Sequence, residues 1–336
     1  MPDLSPLRVL VIGAGSIGER HIRAFRRMDR VSVSFVETQE VRARLISERY
    51  ECAQWFNGLN AVPLDLFDAA VIATPADSHV PIGLLCAQAG LHLLIEKPLS
   101  ASLAGVDRLI SLCDKKQLTA AVGYTLRFHP TVTKLRELVL SGAVGKPISF
   151  QAACTHYLPD SRPDYRRAYY GTPNAAAGVI LDLSHELNYL EWIFGALQLE
   201  ASRRARVEGL GIDDEAIADL WLSSSAGLLG EIHLHAADRC VRRECHIVGN
   251  EATLTTNLLT GQILLTRADG SICRYEALSE RDEWHLDQAR DFLEAFQQNR
   301  PPRCNLKEAL RTLSVCIEAM NSPLRLAGVT NDAAGA

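Results

Sequence analysis

Short apolar runs alternate with helical stretches over the first third of the chain. The runs, between residue 7 and about residue 125, are RVLVIG, VSVSFVE, AAVIATP, HLLIEKP and LTAAVGY. Because strands that alternate with helices are typical of βαβ units, the pattern predicts an α/β fold with a doubly wound parallel sheet.

A different pattern begins after the helical stretch TVTKLRELVLSG, which ends at Gly142. One long helical segment, Val179–Gly195, lies among strand-like segments that follow one another through hairpin-like turns. These segments are GKPISFQAACTHYL, LEASRRARVEG, EAIADLWLSS, GLLGEIHLHAADR, ECHIVGNEATLTT and QILLTRADGSICRYEAL. The pattern predicts an α+β region with a large open, mainly antiparallel sheet.

A glycine-rich turn joins the first strand to the first helix. Gly13, Gly15 and Gly18 fit G-x-G-x-x-G, which allows a tight turn, close approach to a pyrophosphate and packing of helix on strand. Ser16 and Ile17 lie at the helix start, where backbone N–H groups can face phosphates. We therefore predict a Rossmann domain that binds a dinucleotide over residues 1–125 and an α+β domain over residues 126–336, whose carboxyl-terminal helices return to the first domain.

An acidic residue follows the second apolar run. Glu37 lies about 20 residues beyond Gly18, where a carboxylate accepts hydrogen bonds from the adenosine ribose. It would repel a 2′-phosphate, although Arg42 and Arg44 follow a little further along the chain. The sequence therefore favours NAD over NADP as the cofactor.

Two further loops follow predicted strands, at the sheet edge where ligands bind in such folds. Lys97, in the loop EKPLS, brings a cation to this edge and is a candidate catalytic residue; the alternative is a solvated surface charge. His79, in the loop ATPADSH, is a cofactor candidate or a helix-start residue without a ligand. The cofactor-binding residues predicted from the two loops are Thr74, Pro75, His79, Glu96 and Lys97.

The long helical segment of the second region carries Asp182 and His185, three residues apart. This spacing places both side chains on one face of the helix. A carboxylate one turn away can hold an imidazole that exchanges a proton. The pair is thus either an acid/base set or a hydrogen-bonded histidine in the core.

Composition narrows the class of protein. The 336 residues suit two domains, and a net charge of −5 argues against general binding to nucleic acid or membrane surfaces. No apolar run is long enough for a membrane span and no leader pattern precedes the first strand, so we expect a cytoplasmic protein. The nine cysteines form no C-x-x-C pair, and Cys240, Cys245 and His246 lack a second ligand pair, so we predict no metal site.

Taken together, GAGSIG with Glu37, ATPADSH, EKPLS, GYTLRFHP and AAAGVILDLSHELNYL resemble the Gfo/Idh/MocA oxidoreductases, the family of glucose-fructose oxidoreductase and inositol dehydrogenase. The resemblance covers nearly the whole chain. It implies a catalytic role for Lys97, often followed by a cis proline bond, and an acid/base role for Asp182 and His185. It also implies a homodimer or homotetramer that associates through the open sheet of the second domain.

This chain departs from the family pattern at three points. Ala176-Ala177-Gly178 replaces a run of three glycines, His185 lies three rather than four residues after Asp182, and Asn188 stands where relatives often carry an acid. These departures leave open how Asp182 and His185 divide their roles.

The segment HYLPDSRPDYRRAYY, residues 156–170, resembles a subgroup that acts on sugars or activated sugars in cell-surface glycan pathways. Its arginines could clamp an anionic group while aromatic rings cover a sugar face; the alternative is an ordinary solvated or interface loop. The residues predicted to bind substrate are Arg127, His129, Tyr157, Arg162, Arg166 and His185.

The expected activity is hydride transfer between NAD and a secondary alcohol or ketone of a sugar, cyclitol or nucleotide-linked sugar. Lys97 would polarise the reacting oxygen, His185 would exchange its proton and Asp182 would hold the imidazole. NAD-dependent glycoside hydrolysis and non-catalytic dinucleotide binding are the alternatives.

Overall fold

The computed structural model describes residues 6–52, 54–165 and 178–327. Within them, two compact units can be distinguished. The first extends to Phe128 and includes Ser279–Leu310, and the second includes His129–Leu278 and resumes at Arg311. The helices are α1 (Ser16–Arg26), α2 (Glu40–Tyr50), α3 (His79–Ala89), α4 (Val106–Lys116), α5 (Pro130–Leu140), α6 (Leu158–Ser161), α7 (Val179–Asp182), α8 (His185–Phe194), α9 (Arg281–Gln297) and α10 (Leu306–Met320).

The first unit contains a parallel sheet in the order β3-β2-β1-β4-β5-β6. Its strands are β1 (Leu7–Ile12), β2 (Val31–Val36), β3 (Gln54–Phe56), β4 (Ala69–Ile72), β5 (His92–Ile95) and β6 (Ala120–Val122). This is the Rossmann strand order, so the predicted doubly wound sheet is confirmed. The sequence prediction omitted β3, because a strand of three residues with one buried side chain carries almost no periodic signal.

Helix α1 packs on this sheet through Ile22 and Phe25, which are fully buried. They join Val9 and Phe35 of the sheet in one apolar cluster, to which α9 contributes Phe292. Fully burying each such side chain stabilises the fold by about 1.5–3 kcal/mol. Helix α9, which comes late in the chain, is thus part of the apolar core of the first unit.

The second unit contains a mixed sheet in the order β14-β13-β12-β11-β7-β10-β9-β8-β15. Its strands are β7 (Pro147–Tyr157), β8 (Gln198–Val207), β9 (Ile217–Ser223), β10 (Leu229–His235), β11 (Ala237–Gly249), β12 (Ala252–Asn257), β13 (Gln262–Arg267), β14 (Ile272–Glu276) and β15 (Leu324–Ala327). Strand β7 is parallel to β10, β8 is parallel to β15, and the other pairs are antiparallel. The predicted mainly antiparallel sheet is confirmed.

Two segments that we predicted as single strands each contain a hairpin. In ECHIVGNEATLTT, the chain turns between β11 and β12. In QILLTRADGSICRYEAL, it turns between β13 and β14, where Gly270 has a φ of +79°. Polar turn residues with a glycine in the left-handed region reverse the chain, and they interrupt what an apolar count alone treats as one run.

The predicted helix over Val179–Gly195 is wrong as a continuous element. It is divided into α7 and α8 by Leu183 and Ser184. The Ser184 hydroxyl donates a hydrogen bond to the Leu181 carbonyl at 2.8 Å, a local bond that competes with the helical ladder. At the start of α7, the Glu215 carboxylate accepts a hydrogen bond from the Ile180 N–H at 3.2 Å. A Cβ on Gly178 would lie 1.9 Å from this carboxylate, so a larger residue there would have to displace the Glu215 side chain.

The glycines of the first turn differ in what surrounds them. Gly13 has a φ of +88°, and a Cβ on Gly18 would lie 1.8 Å from the Gly13 carbonyl oxygen. A Cβ on Gly15 would meet no heavy atom within 4 Å. Packing within the protein therefore requires glycine at positions 13 and 18, whereas Gly15 leaves open space beside the backbone.

We expect Gly18→Ala to lower the free energy of unfolding by about 3 kcal/mol, because the new methyl group must displace backbone. Gly15→Ala should lower it by less than about 1 kcal/mol, because the position has ordinary φ and ψ angles and free space. Denaturant unfolding of the two variants measures the difference. Equal losses of stability would contradict this assignment.

Candidate active site

The first helical N–H groups of α1 belong to Ser16, Ile17 and Gly18, directly after the open position at Gly15. Such groups have no acceptor within their own helix, and together with the helix dipole they attract an anionic group. Ser16 is exposed and Ile17 is half-buried. This turn therefore has both the donors and the space that a pyrophosphate requires, so the chain fits a dinucleotide here.

Glu37 follows β2 and its side chain is buried. One carboxylate oxygen accepts a hydrogen bond from the Gln39 N–H at 2.9 Å. The other lies 3.5 Å from Nη1 of Arg42. The sequence analysis noted Arg42 as a nearby cation, and the structure places it in an ion pair with the carboxylate.

His79 lies between the two predicted ligand loops. Its Nε2 is 2.8 Å from the Thr74 carbonyl and its Nδ1 is 2.9 Å from the Pro98 carbonyl. Burial lowers the pKa of His79, although the facing carbonyls oppose this shift. The imidazole thus connects the loop that contains Thr74 and the exposed Pro75 to the loop that follows Lys97.

Glu96 is buried directly before the half-buried Lys97, and the Lys97–Pro98 bond is cis. One Glu96 carboxylate oxygen lies 2.6 Å from His21 Nε2, and the other accepts a hydrogen bond from the Lys97 N–H at 3.1 Å. Burial opposes ionisation of Glu96, but the hydrogen bond from His21 and the positive charges around the carboxylate together outweigh burial, and the pKa of Glu96 is lowered. Glu96 is therefore a carboxylate at neutral pH.

His21 is the residue that the sequence analysis missed here. It lies three positions after Gly18 on α1, so the helical period directs it toward the sheet. Its partner Glu96 is 75 residues away along the chain, and no local pattern pairs the two. The signal in the sequence is a histidine at a position of α1 that the helical period assigns to the buried face. His21 is fully buried, and a buried imidazole requires a polar partner.

Arg127 and His129, predicted to bind substrate, are both almost fully buried. Arg127 donates a hydrogen bond to the Arg303 carbonyl at 2.6 Å. His129 caps α5, where its Nδ1 accepts a hydrogen bond from the Thr131 N–H at 3.1 Å. Burial, together with the positive charge of Arg243, lowers the pKa of His129 to about 4. These contacts connect segments within each residue's own unit and do not involve an exposed surface.

Asp182 and His185 lie on opposite sides of the break between α7 and α8. The helical spacing rule that placed them on one face therefore does not apply. Asp182 is buried, and its Oδ1 lies 3.8 Å from Nη2 of the exposed Arg162. His185 is half-buried at the first position of α8.

His156, at the end of β7, is a second imidazole in this part of the unit. Burial lowers its pKa, the negative charge of Asp182 raises it, and the positive charges of Arg162 and Arg243 lower it further. A neutral imidazole near a carboxylate is suited to hydrogen bonding with hydroxyl groups. The sequence analysis included His156 in the segment but gave it no role.

The first turn of α8 is fixed by a buried ion pair. Arg243 of β11 forms two hydrogen bonds to Glu186, of 2.7 Å and 3.0 Å. Burial disfavours the charged guanidinium, but the Glu186 carboxylate raises the Arg243 pKa well above its usual value. Removing one partner of such a pair leaves an uncompensated buried charge, which costs about 3–5 kcal/mol. The residue beside His185 is therefore held rigidly.

Asn188, where relatives often carry an acid, is buried and donates a hydrogen bond from Nδ2 to Thr312 Oγ1 at 3.0 Å. This contact connects α8 to α10. Tyr157 ends β7, and the Arg239 guanidinium lies 3.6 Å from its ring centroid. Arg166 lies outside the described residues.

Over the described ranges, no group of three His, Cys, Asp or Glu side chains could hold a metal ion. No helix in the same ranges is both long enough and apolar enough to cross a membrane.

Two curated relatives match most of the chain. The UDP-N-acetylglucosamine 3-dehydrogenase of Acidithiobacillus ferrooxidans is 26% identical over 324 residues, which cover 93% of this chain and 96% of the relative. The myo-inositol 2-dehydrogenase of Thermotoga maritima is 25% identical over 312 residues, which cover 88% and 90%.

Solved structures share the fold. An oxidoreductase from Agrobacterium radiobacter, in complex with NAD+, L-tartaric acid and magnesium, has a TM-score of 0.84 and 17% identity, covering 95% of this chain and 97% of that one. A 3-ketoreductase from Actinomadura kijaniata, in complex with NADP, has a TM-score of 0.78 and 19% identity, covering 96% and 99%.

Two family descriptions match successive parts of the chain. An oxidoreductase family with an NAD-binding Rossmann fold matches residues 7–124, and the GFO/IDH/MocA C-terminal domain matches residues 132–255. The two matches together cover well over half of the 336 residues. The chain therefore belongs to the Gfo/Idh/MocA family of oxidoreductases.

Proposed function

We propose that this protein oxidises a secondary alcohol, or reduces the corresponding ketone, of a sugar, cyclitol or nucleotide-linked sugar with a nicotinamide dinucleotide. The names of its relatives, a nucleotide-sugar dehydrogenase and a cyclitol dehydrogenase, support this class of substrate. The observation that carries the proposal is Lys97, which follows a buried, ionised Glu96 in a unit that also has an open glycine turn.

The cofactor is held by backbone and carboxylate groups of the first unit in this proposal. The N–H groups of Ser16 and Ile17 bind the pyrophosphate beside Gly15, and Glu37 accepts hydrogen bonds from the adenosine ribose. Thr74 and Pro75 line the same edge of the sheet, after β4. The nicotinamide ring supplies the hydride acceptor or donor when the cofactor is bound.

Lys97 donates a hydrogen bond to the reacting oxygen of the substrate. When a hydride leaves the carbinol carbon, the oxygen loses its proton and becomes a carbonyl. An ammonium group stabilises the negative charge that develops on this oxygen. Lys97 is thus proposed as a catalytic residue.

His185 exchanges the substrate proton, and Asp182 orients the imidazole and balances its charge. Both residues are presented by short elements whose positions are fixed, Asp182 by the docking of α7 on Glu215 and His185 by the Glu186–Arg243 pair. Precise placement of an acid/base group lowers the activation free energy of proton transfer, because the entropy of orienting the group is already lost on folding.

Arg162 and Tyr157 are proposed to bind the substrate beside this pair. Arg162 is exposed and close to Asp182, and its guanidinium can bind a carboxylate or phosphate through two hydrogen bonds. Tyr157 offers an aromatic face of the kind that covers a sugar ring. Arg166 follows in the same segment, and the proposal extends to it on the sequence alone.

Replacing Lys97 with Met should lower kcat by about 100-fold or more on a substrate that the native protein oxidises, because the charge at the reacting oxygen is lost. Steady-state formation of reduced nicotinamide measures this effect. Lys116→Met is the matched control, since Lys116 is exposed and donates to the Gln88 carbonyl. Unchanged kcat in a folded Lys97→Met variant would exclude this mechanism.

We propose NAD as the preferred cofactor, because Glu37 occupies the position that a 2′-phosphate would approach. Native protein should bind NAD at least about tenfold more tightly than NADP. Glu37→Ala should reduce this preference, since it removes the negative charge and releases Arg42 from its ion pair.

Fluorescence titration with both dinucleotides measures the two affinities. Glu40→Ala is the control, because Glu40 is exposed and pairs with Arg44. Equal affinity of the native protein for NAD and NADP would contradict the proposed preference.

We also propose that copies of this chain associate through the face of the second sheet opposite α7 and α8. Trp221, Asp219, Glu231 and His233 share this face, because β9 and β10 pair Trp221 with Glu231 and Asp219 with His233. Trp221 is 39% exposed and Leu229, on the same face, is 61% exposed. A mainly antiparallel sheet whose described residues expose apolar side chains on one face is suited to association.

Light scattering after size-exclusion chromatography should give a mass of two or four chains for native protein. Trp221→Glu should lower that mass toward one chain, because the charge would be buried at the interface. Val41→Glu, at an exposed position of α2, should leave it unchanged. A native mass of one chain would rule out the association.

A further inference from the structure

Two buried histidines of the first unit contact the residues on either side of Lys97. His21 of α1 lies 2.6 Å from a Glu96 carboxylate oxygen, and His79 of α3 lies 2.9 Å from the Pro98 carbonyl oxygen. Both imidazoles are at most 1% exposed. Contacts from two different helices thus lie on either side of the lysine.

The contact from His21 continues to the lysine itself. The second oxygen of Glu96 accepts a hydrogen bond from the Lys97 N–H at 3.1 Å. Because the Glu96 carboxylate is ionised, it can only accept, so His21 Nε2 is the donor. A continuous chain of hydrogen bonds therefore runs from α1 through Glu96 to the Lys97 backbone.

Backbone packing leaves the Glu96 carboxylate little freedom. A Cβ on Gly123, directly after β6, would lie 2.8 Å from its Oε1. The carboxylate is enclosed between this backbone and α1, and a side chain at position 123 would displace it. The hydrogen bond from the Lys97 N–H connects the position of this carboxylate to the lysine.

Four titratable side chains interact electrostatically with Glu96, and each lies on a different helix or loop. His21 faces it from α1, His285 from α9, His79 from α3, and Lys97 from its own loop. Burial lowers the pKa of His285 to about 4, so His285 contributes no full positive charge at neutral pH. The Glu96 charge is therefore balanced by the His21 hydrogen bond and by Lys97.

We propose that His21 and His79 are positioning residues that fix Lys97, His21 through Glu96 and His79 through the Pro98 carbonyl. The inference rests on the proposed catalytic role of Lys97. A displacement of about 1 Å at a reacting group can cost about 100-fold in rate, so a two-sided support of this kind has a direct effect on turnover.

The first test measures the position of Lys97 without turnover. Hydrogen–deuterium exchange, read by mass spectrometry of overlapping peptides, reports the protection of the Lys97 amide. His21→Leu should raise its exchange rate about tenfold or more, because its acceptor loses its support, and His21→Gln should restore protection by keeping a donor. His92→Asn is the control, since His92 begins β5 and stacks on Phe296.

The second test separates kcat from binding. His21→Leu and His79→Leu should each lower kcat by about 10- to 100-fold, the dissociation constant for NAD should stay within about twofold of native in His21→Leu, and His21→Gln should recover most of the loss. Thermal unfolding establishes that each variant is folded. Glu96→Ala removes the acceptor of both hydrogen bonds and gives the same reading if His21→Leu does not fold.

The outcomes distinguish this inference from the proposed function. Native-like Lys97 exchange in both leucine variants overturns the inference, and so does native kcat in folded leucine variants. If the native protein transfers no hydride, the proposed function fails, and the exchange measurement alone decides whether the two histidines hold Lys97.

Discussion

The buried carboxylate of Glu96 is the interaction on which the arrangement of the first unit depends. It accepts a hydrogen bond from His21 of α1 and another from the Lys97 backbone, and it is enclosed by the backbone at Gly123. Leaving such a charge without its partner would cost about 3–5 kcal/mol. The position of the lysine is therefore coupled to the helix that follows the glycine-rich turn.

Helix α1 also takes part in two features of the glycine-rich turn: the close packing at Gly18 and the N–H groups that face an anion. Gly18 lets α1 approach the Gly13 carbonyl, and the N-terminal N–H groups of α1 remain available to an anion. His21 lies one turn further along α1. The packing of Gly18 against Gly13 and the contact of His21 with Glu96 therefore both depend on the position of this helix. Helix α9 completes the packing with Phe292.

The sequence predicted the elements whose signal is local. A buried strand such as β4 is a continuous apolar run, and the glycine turn has fixed spacing, so the parallel sheet followed directly from the pattern. The break between α7 and α8 escaped prediction because Ser184 competes with the helix through one side-chain bond, which periodicity does not register.

The candidate site residues also divide into those with a local sequence signal and those that only the folded chain reveals. Glu37 was predicted from its distance of about 20 residues beyond Gly18, and Lys97 from a loop that follows a strand at the ligand-binding edge of the sheet. The supporting pairs, His21 with Glu96 and Arg243 with Glu186, join residues 75 and 57 positions apart, and only the folded chain brings them together. Arg127 and His129 were placed near substrate by their motif, but their described contacts are buried ones within the units.

The central claim is that a lysine held by a buried carboxylate serves hydride transfer to or from a nicotinamide dinucleotide. The most direct measurement is the absorbance of reduced nicotinamide while purified protein with NAD, and separately with NADP, is given sugars, cyclitols, sugar acids and nucleotide sugars. We expect reduced nicotinamide to accumulate with one class of these compounds. Tight binding of NAD without any reduction across the whole panel would contradict the claim.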